Sequence, residues 1–557
     1  MKDFKYKAAM PGNPTFYKDG LQDYSAEGLE KLKTLGMNTV FINLAWSRPH
    51  IDAVVLEAAA ISKTYPLTSD PETVEKTRER LASRVKNIKS LGMCAMALFG
   101  IPQYRDYSKL PNEYKDLMGA PESLISPEQV TCILSPATRV YYAELIEDLL
   151  SHLPGLDGML VYTYDELAEV CDEDSGCPRC KGIPAENRIS EFLDWLHDTT
   201  DSLKPGFKIW WEPWELSWSQ VYKTLEKCNK KIAVSCHSAL HEVYFVNHPD
   251  LWLRTVAGLC RRQGREIVVE LFLSGCGEDL YHCPSYPCPR LVYEQLESVS
   301  LIEGITGIKE YYGICQSHMG VNEEALGYCL SENNPDFGAF IKNIAEKYAI
   351  PGDAESANGL ISAWELASHT LELLPWELSW VLRTGNYHPY DLSYYGKTGF
   401  YELMRTPWNS PSWLSNRRSY YMVTADDSVI SGTYSKDVIK RLEICFDYMD
   451  EICALLSAAP VKDIYKPQTE RQIYSVKVTK AVLQCRYFHL LYTLAEKNGG
   501  AYGIYEKSAV QKLDVQNARG LLALAENPPA GVPVTFDLEL LRRFSESFPP
   551  ADSRPGE

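Results

Sequence analysis

A helix, a turn through glycine and a short apolar run recur along the first 320 residues of this 557-residue chain, and that repeat restricts its fold most. It is plainest where Leu32-Lys33-Thr34-Leu35-Gly36-Met37 leads into Thr39-Val40-Phe41-Ile42-Asn43-Leu44. The same unit returns where Ile88-Lys89-Ser90-Leu91-Gly92-Met93 leads into Ala95-Met96-Ala97-Leu98-Phe99. Gly36 and Gly92 each fall where a helix C-cap needs positive φ, which glycine adopts without steric cost. The runs behind them are apolar on both faces, as in a parallel sheet covered by helices on either side. Further runs lie at 157–162, 208–211, 231–234, 266–269 and 304–308, with Thr131-Cys132-Ile133-Leu134 as a weaker third member. Eight such units predict an α/β fold, a closed (β/α)₈ TIM barrel whose first strand begins near residue 38. An open sheet binding a dinucleotide would carry G-x-G-x-x-G after its first strand, and the chain has none there.

After residue 320 the strand signal gives way to long helical patterns at 337–348, 360–374, 438–456, 472–496 and 509–526. The chain therefore divides into a catalytic barrel, 1–320, and a mainly α-helical C-terminal domain, 321–557, interrupted by an aromatic-rich loop, 385–432. A formal net charge of −18 argues against nucleic acid as partner and against an anionic membrane face. No run of eighteen apolar residues is present, and Met1 to Lys7 lead into polar sequence without the apolar core of a secretory signal. The sixteen cysteines, scattered through a chain with no export signal, read as reduced thiols of a cytoplasmic protein. A homo-oligomer is compatible with this composition.

In a barrel of this kind the active site lies at the C-terminal ends of the strands, so candidates are sought only there. The ends supply Trp46 and Arg48, then Gln103 and Tyr104, then Tyr164-Asp165-Glu166, then Trp211-Glu212-Pro213-Trp214. His237, Glu270 and Lys309-Glu310-Tyr311-Tyr312 follow. A single Glu at a strand end is most often a salt-bridge or loop-anchoring group. Asp165-Glu166 differs, because two adjacent acids after an apolar strand force like charges into one cleft and raise one pKa by repulsion and desolvation. Carboxylates with aromatic platforms, and no phosphate loop or catalytic-metal pattern, point to a carbohydrate substrate and glycoside hydrolysis without a required cofactor. Trp46, Tyr164, Trp211, Glu212, Trp214, His237, Glu270, Glu310, Tyr311 and Tyr312 are the candidate substrate contacts.

Tyr164-Asp165-Glu166-Leu167 resembles the Asp-Glu pair of substrate-assisted β-N-acetylhexosaminidases of glycoside hydrolase families 20 and 123. That resemblance implies Glu166 as general acid/base and Asp165 as the partner of the substrate's 2-acetamido group, which replaces a protein nucleophile. The helical C-terminal half is similar to that of the α-glucuronidases of family 67 and the endo-acting N-glycan hydrolases of family 163. A retaining glycosidase with Glu166 as acid/base and Glu270 as nucleophile is the nearest alternative, and such enzymes usually have Asn where this chain has Asp165. An α-glucuronidase-like hydrolase, a barrel that binds glycan without cleaving it, and a metal-dependent hydrolase are further readings. The last is weakened by the lack of recognisable companion ligands for His237 and His241.

The segment after the acid pair holds Cys171 and then Cys177-x-x-Cys180, a metal-ligand pattern. Cys276, His282, Cys283 and Cys288 are candidates for a fourth ligand of a structural zinc that would brace this loop.

Overall fold

The computed structural model describes the chain apart from residues 1–2, 13–21, 44–52, 68–69, 122–127, 165–166, 172, 174, 215, 239–248, 250, 274–285, 312, 318, 332–335, 376–432, 533–535 and 547–557. Eight parallel strands close on themselves in sequence order: β1 (Tyr6–Ala9), β2 (Thr39–Phe41), β3 (Cys94–Gly100), β4 (Gly158–Tyr162), β5 (Lys208–Glu212), β6 (Ala233–His237), β7 (Ile267–Leu271) and β8 (Gly307–Glu310). The seam is the pairing of β1 with β8, in register Tyr6↔Gly307 and Ala8↔Lys309. A helix follows each strand: α1 (Ala26–Thr34), α2 (Pro71–Ser90), α3 (Pro136–His152), α4 (Ala185–Leu203), α5 (Trp218–Lys227), α6 (Leu251–Gln263), α7 (Pro289–Ser300) and α8 (Val321–Ser331).

The barrel is as expected, but two of its strands are not the expected ones. Thr131–Leu134 is no strand: Thr131 forms an isolated bridge to Met118 inside the loop between β3 and α3. The missing strand is β1, four residues long and interrupted by Lys7. Lys7 keeps its ammonium near Asp3, at 3.2 Å, while Tyr6 and Ala8 turn into the barrel. The strand expected first is thus β2, the one expected second is β3, and from β4 onward the positions agree.

Local sequence explains the helix ends. Ser25 accepts a hydrogen bond from Gly28 N at the start of α1, and Asp70 with Pro71 opens α2. Gly36 and Gly92 hold φ +90° and +73°; Met37 N and Met93 N donate to Leu32 O and Ile88 O while Gly36 N and Gly92 N donate to Lys33 O and Lys89 O, the paired bonds of a Schellman cap.

Alternation along the strands decides which side chains face the barrel's interior. Tyr6, Ala8, Phe41, Met96, Leu98, Leu160, Tyr162, Trp210, Ala233 and Val268 form the inner cluster. Val40, Ala97, Val161, Trp211, Val234, Val269 and Ile308 belong to the larger cluster between strands and helices. By the same parity Glu212, Ser235, His237, Glu270 and Lys309 face inward at the C-terminal end.

Beyond the barrel the described chain is mainly helical: α9 (Phe337–Tyr348), α10 (Ala354–Leu373), α11 (Thr433–Ala458), α12 (Lys466–Lys497), α13 (Lys507–Glu526) and α14 (Leu538–Glu546). The expected aromatic-rich loop, 385–432, lies outside the described residues. α10 docks on α7, where Arg290 reaches Glu365 (2.9 Å) and Glu372 (2.8 Å). No helix among the described residues is long and apolar enough to cross a membrane.

Candidate active site

The inward-facing ends of β4 to β8 build one polar cluster on the floor of the barrel mouth. Glu270, at the end of β7, accepts hydrogen bonds from Ser235 Oγ (2.8 Å) and Lys309 Nζ (2.9 Å), with Tyr162 OH at 3.5 Å. His237 Nε2 stands 3.6 Å from its other oxygen. The Glu270 and Lys309 side chains are wholly buried, so their charges meet in a medium far less screening than water. Glu212, from β5, lies close enough that one carboxylate oxygen, a His237 ring nitrogen and a Glu270 oxygen all fall within 4.8 Å of one another. Above this floor Trp214 and Tyr311 set their rings edgewise on His237, with centroids 5.4 and 4.9 Å away. Lys309 Nζ lies 4.7 Å from the Tyr311 ring centre, and Phe272 packs on the same tyrosine. Carboxylates and an imidazole can hydrogen-bond sugar hydroxyls, and aromatic rings can cover an apolar sugar face.

Glu212, Trp214, His237, Glu270 and Tyr311 are thus brought together. Three other candidate contacts sit elsewhere. Trp211, expected as a platform, faces the helices, is fully buried, and donates its indole N–H to Thr163 Oγ1 (3.2 Å). Glu310 shares the outer face of Ile308 and accepts from Leu273 N, so it ties the β7 and β8 ends together. Tyr164 is buried in the outer cluster. The two-residue period turns Trp211 and Glu310 away from the lumen, whereas Tyr164, beyond the last residue of β4, leaves that period and packs outside the barrel. Trp46, Asp165, Glu166 and Tyr312 lie outside the described residues.

The chain on either side of the acid pair is described. Tyr164 precedes it, and Leu167 and Ala168 follow, paired with the loop after β3 through Tyr104 N→Leu167 O (3.3 Å) and the Gln103↔Ala168 bridge. Leu167 holds φ +65°, the sole non-glycine residue with positive φ among the described residues. That conformation costs about 1–3 kcal/mol and is maintained only where surrounding contacts demand it.

Sequence reasoning missed Lys309, Ser235 and Tyr162 as parts of the floor. Inward parity would have found them once the strand ends were known. It also missed that His237 has carboxylate neighbours on both adjacent strands, Glu212 and Glu270. The metal-hydrolase reading gains little from this, because the ammonium of Lys309 already lies against Glu270 and repels a second cation.

A second cluster lies in the loops following β3 and β4. Cys132, Cys171, Cys177 and Cys180, all fully buried, bring their sulfurs within 4.8 Å of one another. The three cysteines expected from the sequence are joined by Cys132, which was not among the candidates for fourth ligand. Cys288 instead begins α7, where its Sγ bonds Tyr286 O (3.3 Å). Cys276, His282 and Cys283 are outside the described residues.

No family model and no curated protein matches the chain. Among solved structures, the chain is similar to a family 138 glycoside hydrolase described as targeting pectin rhamnogalacturonan II, with TM-score 0.57 and 12% identity over 98% of this chain. The match spans 64% of that longer protein. The protein CpGH84B aligns with TM-score 0.42 and 12% identity over 97% of this chain and 77% of its own. The pneumococcal virulence factor StrH, described in terms of N-glycan recognition and hydrolysis, aligns with TM-score 0.36 and 11% identity over 66% of this chain and 96% of its own. At 12% identity the likeness to the family 138 enzyme is one of fold.

Proposed function

We propose that this chain is a glycoside hydrolase that cleaves a β-linked N-acetylhexosamine, GalNAc or GlcNAc, with retention of configuration. The observation that carries the reading is the sequence pair Asp165-Glu166, which follows β4 after Thr163 and Tyr164, in a chain whose barrel mouth gathers Glu212, Glu270, His237 and Lys309 under two aromatic rings. The strained Leu167 immediately behind the pair supports it, since such backbone is retained where a side chain must be aimed. The fold's likeness to a family 138 glycoside hydrolase supports the reaction class, while pectin remains that protein's own substrate.

In this mechanism the acetamido oxygen of the bound sugar attacks the anomeric carbon while Glu166 protonates the departing glycosidic oxygen. Asp165 accepts a hydrogen bond from the amide N–H and balances the positive charge growing on the forming oxazoline, a contact that strengthens in the transition state. Glu166, now a carboxylate, takes a proton from the water that opens the ring. Trp214 and Tyr311 provide the sugar platform, and Glu212 and His237 bind hydroxyls.

A second reading, with Glu270 as nucleophile, is favoured by one observation: Lys309 Nζ lies 2.9 Å from that carboxylate inside the barrel. The two schemes separate cleanly. Substrate assistance predicts that Asp165→Asn lowers kcat more than it raises KM, and that a thiazoline mimic of the cyclised sugar inhibits strongly. A fluorosugar adduct mapped by mass spectrometry to Glu270, with indifference to thiazoline, would replace the first reading by the second.

A further inference from the structure

We propose that Cys132, Cys171, Cys177 and Cys180 bind one zinc ion as a closed tetrathiolate site, clamping the loop after β3 to the loop that carries the acid pair. The inference rests on the sulfur geometry and not on the reading of Asp165 and Glu166.

Cys132 Sγ is 3.5 Å from Cys180 Sγ and 3.7 Å from Cys177 Sγ. Zinc–sulfur bonds of about 2.3 Å in a tetrahedron set neighbouring sulfurs about 3.8 Å apart, so these separations are those of four ligands around one ion. They are far longer than a disulfide, whose sulfurs stand about 2.05 Å apart. Simple apolar packing explains them poorly. The remaining core residues of this cluster are Ala120 and Val130, and neither directs four thiols from two separate loops to a single point.

The surrounding backbone is shaped to the same point. A Cβ at Gly119 would lie 2.3 Å from Cys171 Sγ and 3.0 Å from Cys132 Cβ, so only glycine lets this strand of the loop approach the sulfurs. Gly119 N is held there by Val130 O at 2.7 Å, and Cys132 N by Leu117 O at 2.8 Å. Four thiolates and one Zn²⁺ carry two net negative charges, and a buried cation stands beside them. Arg188, 1% exposed, donates Nη1 to Cys171 O and Nε to Ile183 O. Arg179 donates to Met118 O on the facing loop (2.9 Å).

An all-sulfur donor set selects a soft or borderline metal over magnesium or calcium. With every position filled by protein, the ion has no open site for substrate and acts structurally. Binding replaces the four thiol protons, which leave to solvent as the four zinc–sulfur bonds form. Cys132 comes from the loop that also pairs Gln103 with Ala168, two residues beyond Glu166. The ion therefore fastens the far end of the segment whose near end leaves β4.

The test uses the full chain, purified without chelator. Elemental analysis should find about one zinc per chain, as a closed four-ligand site requires. Cobalt exchanged into the protein should give the intense sulfur-to-metal charge-transfer and d–d absorption of a tetrahedral tetrathiolate. Cys132→Ser and Cys177→Ser should each lower zinc content, while Cys445→Ser, altering a buried cysteine outside the cluster, should keep it. Should the first two fail to fold, the parent protein still decides. Its four cluster thiols should resist alkylation until a strong chelator is added, and the melting temperature should fall when zinc is removed. Zinc-free protein with a full melting transition, iron in place of zinc, or mapped disulfides among the four cysteines would each overturn the proposal.

Discussion

Replacing Lys309 by Met tests whether the floor of the mouth is an electrostatic unit. The Lys309 and Glu270 side chains are both without solvent exposure and meet at 2.9 Å. At an effective dielectric constant of about 20 their attraction is roughly 6 kcal/mol, most of it offset by the desolvation of two charges. The loss on removing one partner is set instead by the carboxylate left buried alone, a penalty of about 3–5 kcal/mol. Glu270 keeps its hydrogen bond from Ser235 Oγ, so the lower end applies, about 3 kcal/mol for Lys309→Met. Methionine matches the length of the lysine stem, which keeps a cavity from adding much. Guanidinium unfolding followed by tryptophan fluorescence reads the loss. Adding Glu270→Gln to Lys309→Met should recover about 1–2 kcal/mol, because a neutral amide still accepts from Ser235 and leaves no bare charge. A cost below about 1 kcal/mol for the single variant, or a double variant no more stable than the single, would refute the reasoning.

Two further outcomes follow from particular side chains. Burial lifts the Glu323 carboxyl from its ordinary 4.5 to about 7. The fold therefore favours the protonated form: its contribution is full below about pH 4.5 and is lost as pH rises through about 7, a total of roughly 3 kcal/mol. Glu323→Gln should raise the melting temperature at about pH 8 and leave it nearly unchanged at about pH 4, whereas parallel pH profiles for the two proteins would contradict the assignment. Trp214, set edgewise on His237, should contribute to sugar binding, so Trp214→Phe should raise KM by about 3–10-fold with little change in melting temperature. If the melting temperature falls and KM does not move, the ring belongs to the core alone.

The barrel was legible because its strands are mostly apolar on both faces and several are preceded by a helix-to-strand turn through glycine, as at Gly36, Gly92 and Gly264. β1 was not, because a four-residue strand with Lys7 at its centre has too few apolar positions to stand out, and its partner β8 lies about 300 residues away in sequence. Thr131–Leu134 misled for the opposite reason: its apolar residues are buried within a loop that bonds to itself at Gly119–Val130 and Arg105–Gln129. In the site, residue type and strand end identified Glu212, His237 and Glu270, whereas direction separated Trp210 and Trp211, which look alike in the sequence and face opposite ways. The convergence of Cys132 with Cys171, Cys177 and Cys180 depends on two adjacent loops meeting in space, and no spacing rule along one chain reports that. Lys309 went unassigned because a lysine in a strand signals nothing until its neighbour across the barrel is known.

Glu166, which follows β4 in the sequence, is the acid/base proposed for glycoside hydrolysis. The direct measurement is release of nitrophenol from a panel of nitrophenyl glycosides (GlcNAc, GalNAc, glucuronide, glucoside and galactoside), run beside a natural glycoside of whichever sugar turns over, for the parent and Glu166→Gln. We expect turnover of an N-acetylhexosaminide, with Glu166→Gln losing about 10²–10⁴-fold on the natural glycoside and distinctly less on the aryl one, whose acidic phenol leaves without protonation. Absence of turnover across the panel, or equal losses on the two leaving groups, would contradict it.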